Sequence, residues 1–301
     1  MFNPTPLWVW LYGEKESRME DLLWDLEDED SGALDSYYTT YRIKLHQMDF
    51  ATGATSSSMV QYYKPDRKTD FQVKNTSLDP KNPKDDMYLS MLEKKNNPDF
   101  DGLKLHQQLR KSFSKYITHS PNGRRAGPGW QFINPEEGGD LYNSNDKHGF
   151  IIDQGAASVS ASASHQVVIM NSEDCYKINT PSTGEIIVLL RWMLAAVKPQ
   201  KSKSSISSRK YAENCLFQHD IPTMVISFLP DSKVRILYGY FDGGRLRIAH
   251  TKAIAFDNDH YEENMDTLLQ WTWPIICKDT SKPLPMQTIE ESDESDESDQ
   301  S

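Results

Sequence analysis

The histidines, cysteines and carboxylates from which a reaction centre could be assembled are dispersed along this chain of 301 residues. His46, His106, His119, His148, His165, His219, His250 and His260 contain no H-x-x-x-H or H-E-x-x-H pair, the spacing that sets two imidazoles on one helix face around zinc. Cys215 and His219 are four apart, yet two ligands do not define a zinc site. Cys175, Cys215 and Cys277 form no C-x-x-C pair and make an odd count, so reduced structural thiols are expected. Neither a G-x-S-x-G nucleophile elbow nor a Walker A or G-x-G-x-x-G phosphate cradle is present. The expectation is therefore no metal, no cofactor and no assigned catalytic residue.

The densest local group of catalytic residue types is Pro65-Asp66, Asp70 and Gln72-Val73-Lys74. It resembles the metal-dependent nucleases of the PD-D/ExK class, in which carboxylates on adjacent strands hold Mg²⁺ and a lysine steadies the attacking water or the phosphate. The resemblance implies Asp66 and Asp70 as ligands with Lys74 as the steadying cation, and it covers only about ten residues. Gln72 stands where a carboxylate belongs, and Asp66 lies too close in sequence to leave room for a strand and turn between the two elements. A polar loop feeding a strand explains the same residues, and the nuclease reading is kept as an alternative.

Charge is distributed more tellingly than catalytic residue types. Residues 14–35 carry ten Asp/Glu against Lys15 and Arg18, and residues 290–301 carry seven Asp/Glu and no base. Against a total of −11, these ends contribute −8 and −7, which leaves about +4 on the rest of the chain. The basic focus is residues 102–125, with six basic side chains and no acid. Within it, Leu105, Leu109, Phe113 and Tyr116 define one face of a helix over 102–117, and Lys104, Gln108, Lys111 and Lys115 the opposite face. Lys104, Arg110, Lys111, Lys115, Arg124 and Arg125 are the candidate phosphate contacts for nucleic acid, with Trp130 to stack on a base. A solvated surface helix predicts the same pattern. In the acidic tail, Ser292, Ser295 and Ser298 are each followed by acid and suit acid-directed kinases. Such a tail attracts basic proteins, or folds back on 102–125 and competes with nucleic acid.

The elements that must position these residues follow from periodicity and turn chemistry. Leu7 to Leu11 reads as a buried strand, followed by an amphipathic helix with Met19, Leu22, Leu23 and Leu26 inward and Glu20, Asp21, Asp25 and Glu27 outward. Strands are expected around Tyr41–Leu45, Met59–Tyr63, Phe150–Asp153 and Val159–Met170, and a short helix through Met87 and Met91. Ser182 and Glu185 have capping-box spacing ahead of an almost wholly apolar helix, 185–197, at the centre of the fold. Thr223–Leu229, Lys233–Phe241 and Arg245–Phe256 form an antiparallel meander, and a helix through Met265, Leu268 and Leu269 precedes Trp271-Thr272-Trp273-Pro274.

The fold class expected is α+β, a mostly antiparallel sheet with packed helices, in one domain over 1–280, with a disordered acidic tail over 281–301. No apolar run approaches the roughly 20 residues of a membrane span, and Met1–Tyr12 lacks a basic leader, so the chain reads as intracellular, cytoplasmic or nuclear. The function expected is non-enzymatic: an accessory or regulatory protein acting through a basic surface and acidic termini on a basic protein partner. Nucleic-acid binding is the second reading.

Overall fold

A computed structural model describes residues 7–28, 43–55, 59–67, 113, 129–134, 138–143, 147–160, 164–173, 177–197, 220–242, 245–256 and 260–280. In chain order these form α1 (Leu7–Asp28), β1 (Ile43–Gln47), β2 (Tyr63–Lys64), β3 (Trp130–Ile133), a short 3-10 turn (Gly139–Tyr142), β4 (Phe150–Ser158) and β5 (Gln166–Ser172). There follow α2 (Thr183–Val197), β6 (Thr223–Leu229), β7 (Lys233–Asp242), β8 (Arg245–His250), β9 (Ile254–Ala255), α3 (Tyr261–Gln270) and β10 (Ile275–Ile276).

Every residue of β5 and β6 is buried, which requires a layer on each side of the sheet. The sheet runs β1-β8-β7-β6-β5-β4-β3, with β9 beside the start of β7. Most pairs are antiparallel; β5–β6 and β1–β8 are parallel. The β5–β6 pair is parallel because α2 lies in the connection between them, as parallel neighbours demand. The result is a mixed α+β fold with three α-helices among the described residues.

Alternation along the strands sorts two cores. Met224, Ile226, Phe228, Ile236, Tyr238 and Tyr240 face one side with Tyr62, Tyr63, Met265, Leu268 and Trp271, so α3 and the β2–β10 ribbon cover it. Val225, Leu237, Leu246 and Ile248 face the other, under α2 and the Met19, Leu22 and Leu26 stripe of α1. The residues Ile186 to Leu190 are at most 1 % exposed, each such side chain contributing about 1.5–3 kcal/mol by leaving water. Trp192 lies directly on β4, where a Cβ on Gly155 would come within 1.8 Å of the indole ring; only glycine lets helix and strand approach so closely.

Several expected elements take another form. Leu7–Leu11 is the first part of α1 and not a strand. The span expected as a strand over Val159–Met170 begins only at Gln166, and Phe150–Asp153 extends to nine residues as β4, with a register shift between Ile152 and Gln154. The third strand of the meander breaks at 251–253, where Thr251 Oγ1 takes the Ile236 amide at 3.1 Å and Ala253 N donates to Ile178 O. β9 then resumes the pairing with β7. The expected helices through Met87 and over 102–117, and the tail 281–301, lie outside the described residues; Phe113 alone is placed, buried against Phe228 at 5.2 Å between ring centroids.

Candidate functional site

The structure separates the residues that sequence spacing had grouped. Asp66 follows the β2–β10 ribbon, off the main sheet, with its amide donating to Gln270 O. Asp70, Gln72 and Lys74 lie outside the described residues. On the central β4–β5 hairpin Asp153, at the irregularity in register, is the only carboxylate, and its cross-strand neighbours are Met170 and Ile169. No three His, Cys, Asp or Glu side chains converge to hold a metal ion among the described residues. Trp130 is 7 % exposed, with its ring 6.4 Å from Trp273, which leaves little of it for stacking on a base. Lys104, Arg110, Lys111, Lys115, Arg124, Arg125, Ser292, Ser295 and Ser298 lie outside the described residues.

Two clusters of polar side chains sit in the interior. At the start of α2, Ser182 N donates to Glu185 Oε2 at 2.7 Å and Glu185 N to Ser182 Oγ at 3.3 Å, the reciprocal cap expected from their spacing. The same Glu185 oxygen takes Arg235 Nη1 at 2.5 Å, with both side chains wholly buried, and Arg235 Nη2 donates to the Lys177 and Ile178 carbonyls. At the opposite end of β5, His165 lies between Tyr62 and Tyr63, with ring centroids at 5.7 and 5.0 Å. Burial holds the His165 pKa down at about 3. Tyr62 donates to Asp220 Oδ2 at 2.7 Å, and Lys15 of α1 stands 3.6 Å from Asp220 Oδ1. Burial and the neighbouring Asp220 carboxylate push the Tyr62 pKa up, which favours the neutral phenol that donates. These groups are committed to one another and hold layers together.

A different situation exists on the outer side of α1. Met19, Leu22 and Leu26 are buried, so the opposite stripe, Ser17, Glu20, Asp21, Trp24 and Asp28, recurs at helical spacing in solvent. Trp24 is 73 % exposed, the most exposed of the large apolar side chains among the described residues. Glu20 and Asp21 precede it by four and three positions and Asp28 follows by four, which places carboxylates on both sides along the helix. The helix carrying this stripe is anchored. Arg191 of α2 bonds Glu27 Oε1 through Nε at 2.8 Å and Nη2 at 2.7 Å, and its guanidinium lies 5.5 Å from the Phe150 ring centre. Lys147 donates to the Glu27 and Asp28 carbonyls at the helix C-terminus, where a cation is favoured by the helix dipole.

Sequence reasoning found the acidic face of α1 but not Trp24 within it. The signal was available, since Trp24 falls at i+4 and i+3 from two residues assigned outward, a position at odds with its apolar bulk. The chain matches no protein-family model, no curated protein and no solved structure.

Proposed function

We propose that this chain is a non-enzymatic interaction protein whose first helix receives a basic protein partner. The observation that carries this reading is Trp24, 73 % exposed on a helix stripe otherwise made of Ser17, Glu20, Asp21 and Asp28. At 73 % exposure Trp24 leaves most of its side chain free for a partner, and tryptophan is among the residues most enriched where binding energy concentrates. The chemistry around it selects the partner: an arginine laid over the indole gains a cation–π contact of about 0.5–1 kcal/mol at an exposed site, and carboxylates a turn away attract the same charge. The seven acids of residues 290–301 add attraction of the same sign.

The test is the affinity of the full chain for an arginine-rich peptide, followed by calorimetry at two salt concentrations. Trp24→Ala is expected to weaken binding about two- to fivefold, and the double change Glu20→Lys with Asp21→Lys by more, with the electrostatic part fading as salt rises. Affinity untouched by both variants would remove α1 as the interaction surface.

A further inference from the structure

His165 is covered in an unusual way. It precedes β5, is fully buried, and neither ring nitrogen has a hydrogen-bond partner among the described residues. The ribbon contributes to its cover: Tyr62 and Tyr63, both 0 % exposed, set their rings against the imidazole. The ribbon itself is slight. Its ladder consists of Ile275 opposite Lys64 and Ile276 opposite Tyr63, extended by Cys277 N donating to Tyr62 O at 2.9 Å. It is attached by packing of Tyr62 and Tyr63 into the core and by hydroxyls: Tyr62 to Asp220, Tyr63 to Gln166 O at 3.0 Å and Pro222 O at 2.6 Å, and Tyr238 to Val60 O at 3.2 Å just ahead of it, with Thr280 Oγ1 taking the Ser164 amide at 2.9 Å. Ladders of six and seven residue pairs, by contrast, join β5 to β6 and β6 to β7.

We infer that the β2–β10 ribbon is an acid-released latch, closed over neutral His165 and opened when that ring takes a proton. A charged imidazole wholly buried between two tyrosine rings has no carboxylate on its nitrogens among the described residues, and lifting the ribbon opens it to solvent without unpairing the central strands. The ionisable and charged groups facing the site are Tyr62 and Tyr63 from the ribbon, Asp220 ahead of β6, Tyr238 and Tyr240 from β7, Lys15 from α1, and Cys277 beyond β10. Burial raises the pKa values of the tyrosines and the cysteine and holds the closed His165 neutral down to about pH 3, so it is the opened His165 ring that takes a proton between pH 7 and 5. This inference is independent of the α1 surface.

Hydrogen exchange on the full chain reads the opening directly. Between pH 7 and 5, after correction for intrinsic exchange, protection of the Cys277 amide is expected to fall roughly twentyfold and its exchange to stay insensitive to low urea, as a local opening does, whereas the Val225 and Ile236 amides of the sheet exchange by urea-sensitive global unfolding. His165→Phe, which keeps a ring in the slot but cannot titrate, is expected to flatten the Cys277 profile; His165→Gln serves the same purpose if the phenylalanine is not accommodated. An unchanged Cys277 profile in the native chain, a fall that survives both substitutions, or Cys277 exchange as sensitive to urea as that of Val225 and Ile236 would each overturn the latch.

Discussion

Arg235 and Glu185 meet at zero exposure, each also held by backbone: Glu185 by the Ser182 amide, Arg235 by the Lys177 and Ile178 carbonyls. These bonds satisfy Glu185 Oε2 and both terminal nitrogens of Arg235, while Glu185 Oε1 and Arg235 Nε have no partner among the described residues, and such a pair is far more sensitive to losing one member than both. Arg235→Met is expected to destabilise the fold by about 3–5 kcal/mol in urea titration, because it strands the Glu185 carboxylate. The double change Arg235→Met with Glu185→Leu is expected to recover most of that loss. If the single and double variants melt alike, the charge itself is not what matters there. The spacing of Ser182 and Glu185 revealed the cap in the sequence; nothing revealed that the capping carboxylate also serves an arginine 50 positions later, because only the folding of β7 under α2 brings the two together.

Among the elements, α2 was the most legible and α1 the least. An apolar run with a capping box ahead and Pro199 behind is helical on any reading, and the structure places it over the sheet at Thr183–Val197. Replacing Ser182 by Ala removes the oxygen that receives the Glu185 amide and should lower the unfolding free energy by about 1 kcal/mol, measured by chemical denaturation. No change would mean that Glu185 alone secures the helix start. Leu7–Leu11 was read as a strand because five successive apolar residues carry no period that separates strand from buried helix. In α1 the same residues continue without interruption into the Met19–Leu22–Leu26 stripe, and Gly13 within it is a helix position that costs about 1 kcal/mol relative to alanine.

For the whole molecule, three layers around a doubly buried sheet make its interior histidines a source of acid sensitivity. His165, His250 and His46 all have pKa values lowered first of all by burial, His165 to about 3. The unfolded chain takes protons near pH 6.5, before the folded one does, so their neutral burial is harmless above that value. Stability falls as pH drops from 6.5 toward 3, with His165 alone accounting for roughly 2 kcal/mol by pH 5. The melting temperature is therefore expected to decline steadily from pH 7 to 5, and His165→Phe should reduce the slope. A flat melting profile over that interval would show that the ring is hydrated in the native state. The mostly antiparallel α+β class follows from runs such as Thr223–Leu229 and Lys233–Asp242 and the short turn between them.

What the sequence determined by itself was local: where α2 starts, where β6 and β7 turn back on each other, and that acid gathers at both ends, since each depends on neighbours within a few residues. Only tertiary structure decided that β1 joins β8 in parallel, that Tyr62 and Tyr63 close over His165, and that Trp24 is left in water. Those outcomes depend on which faces of distant segments become buried together, and burial is a property of the assembled layers that no window of sequence contains.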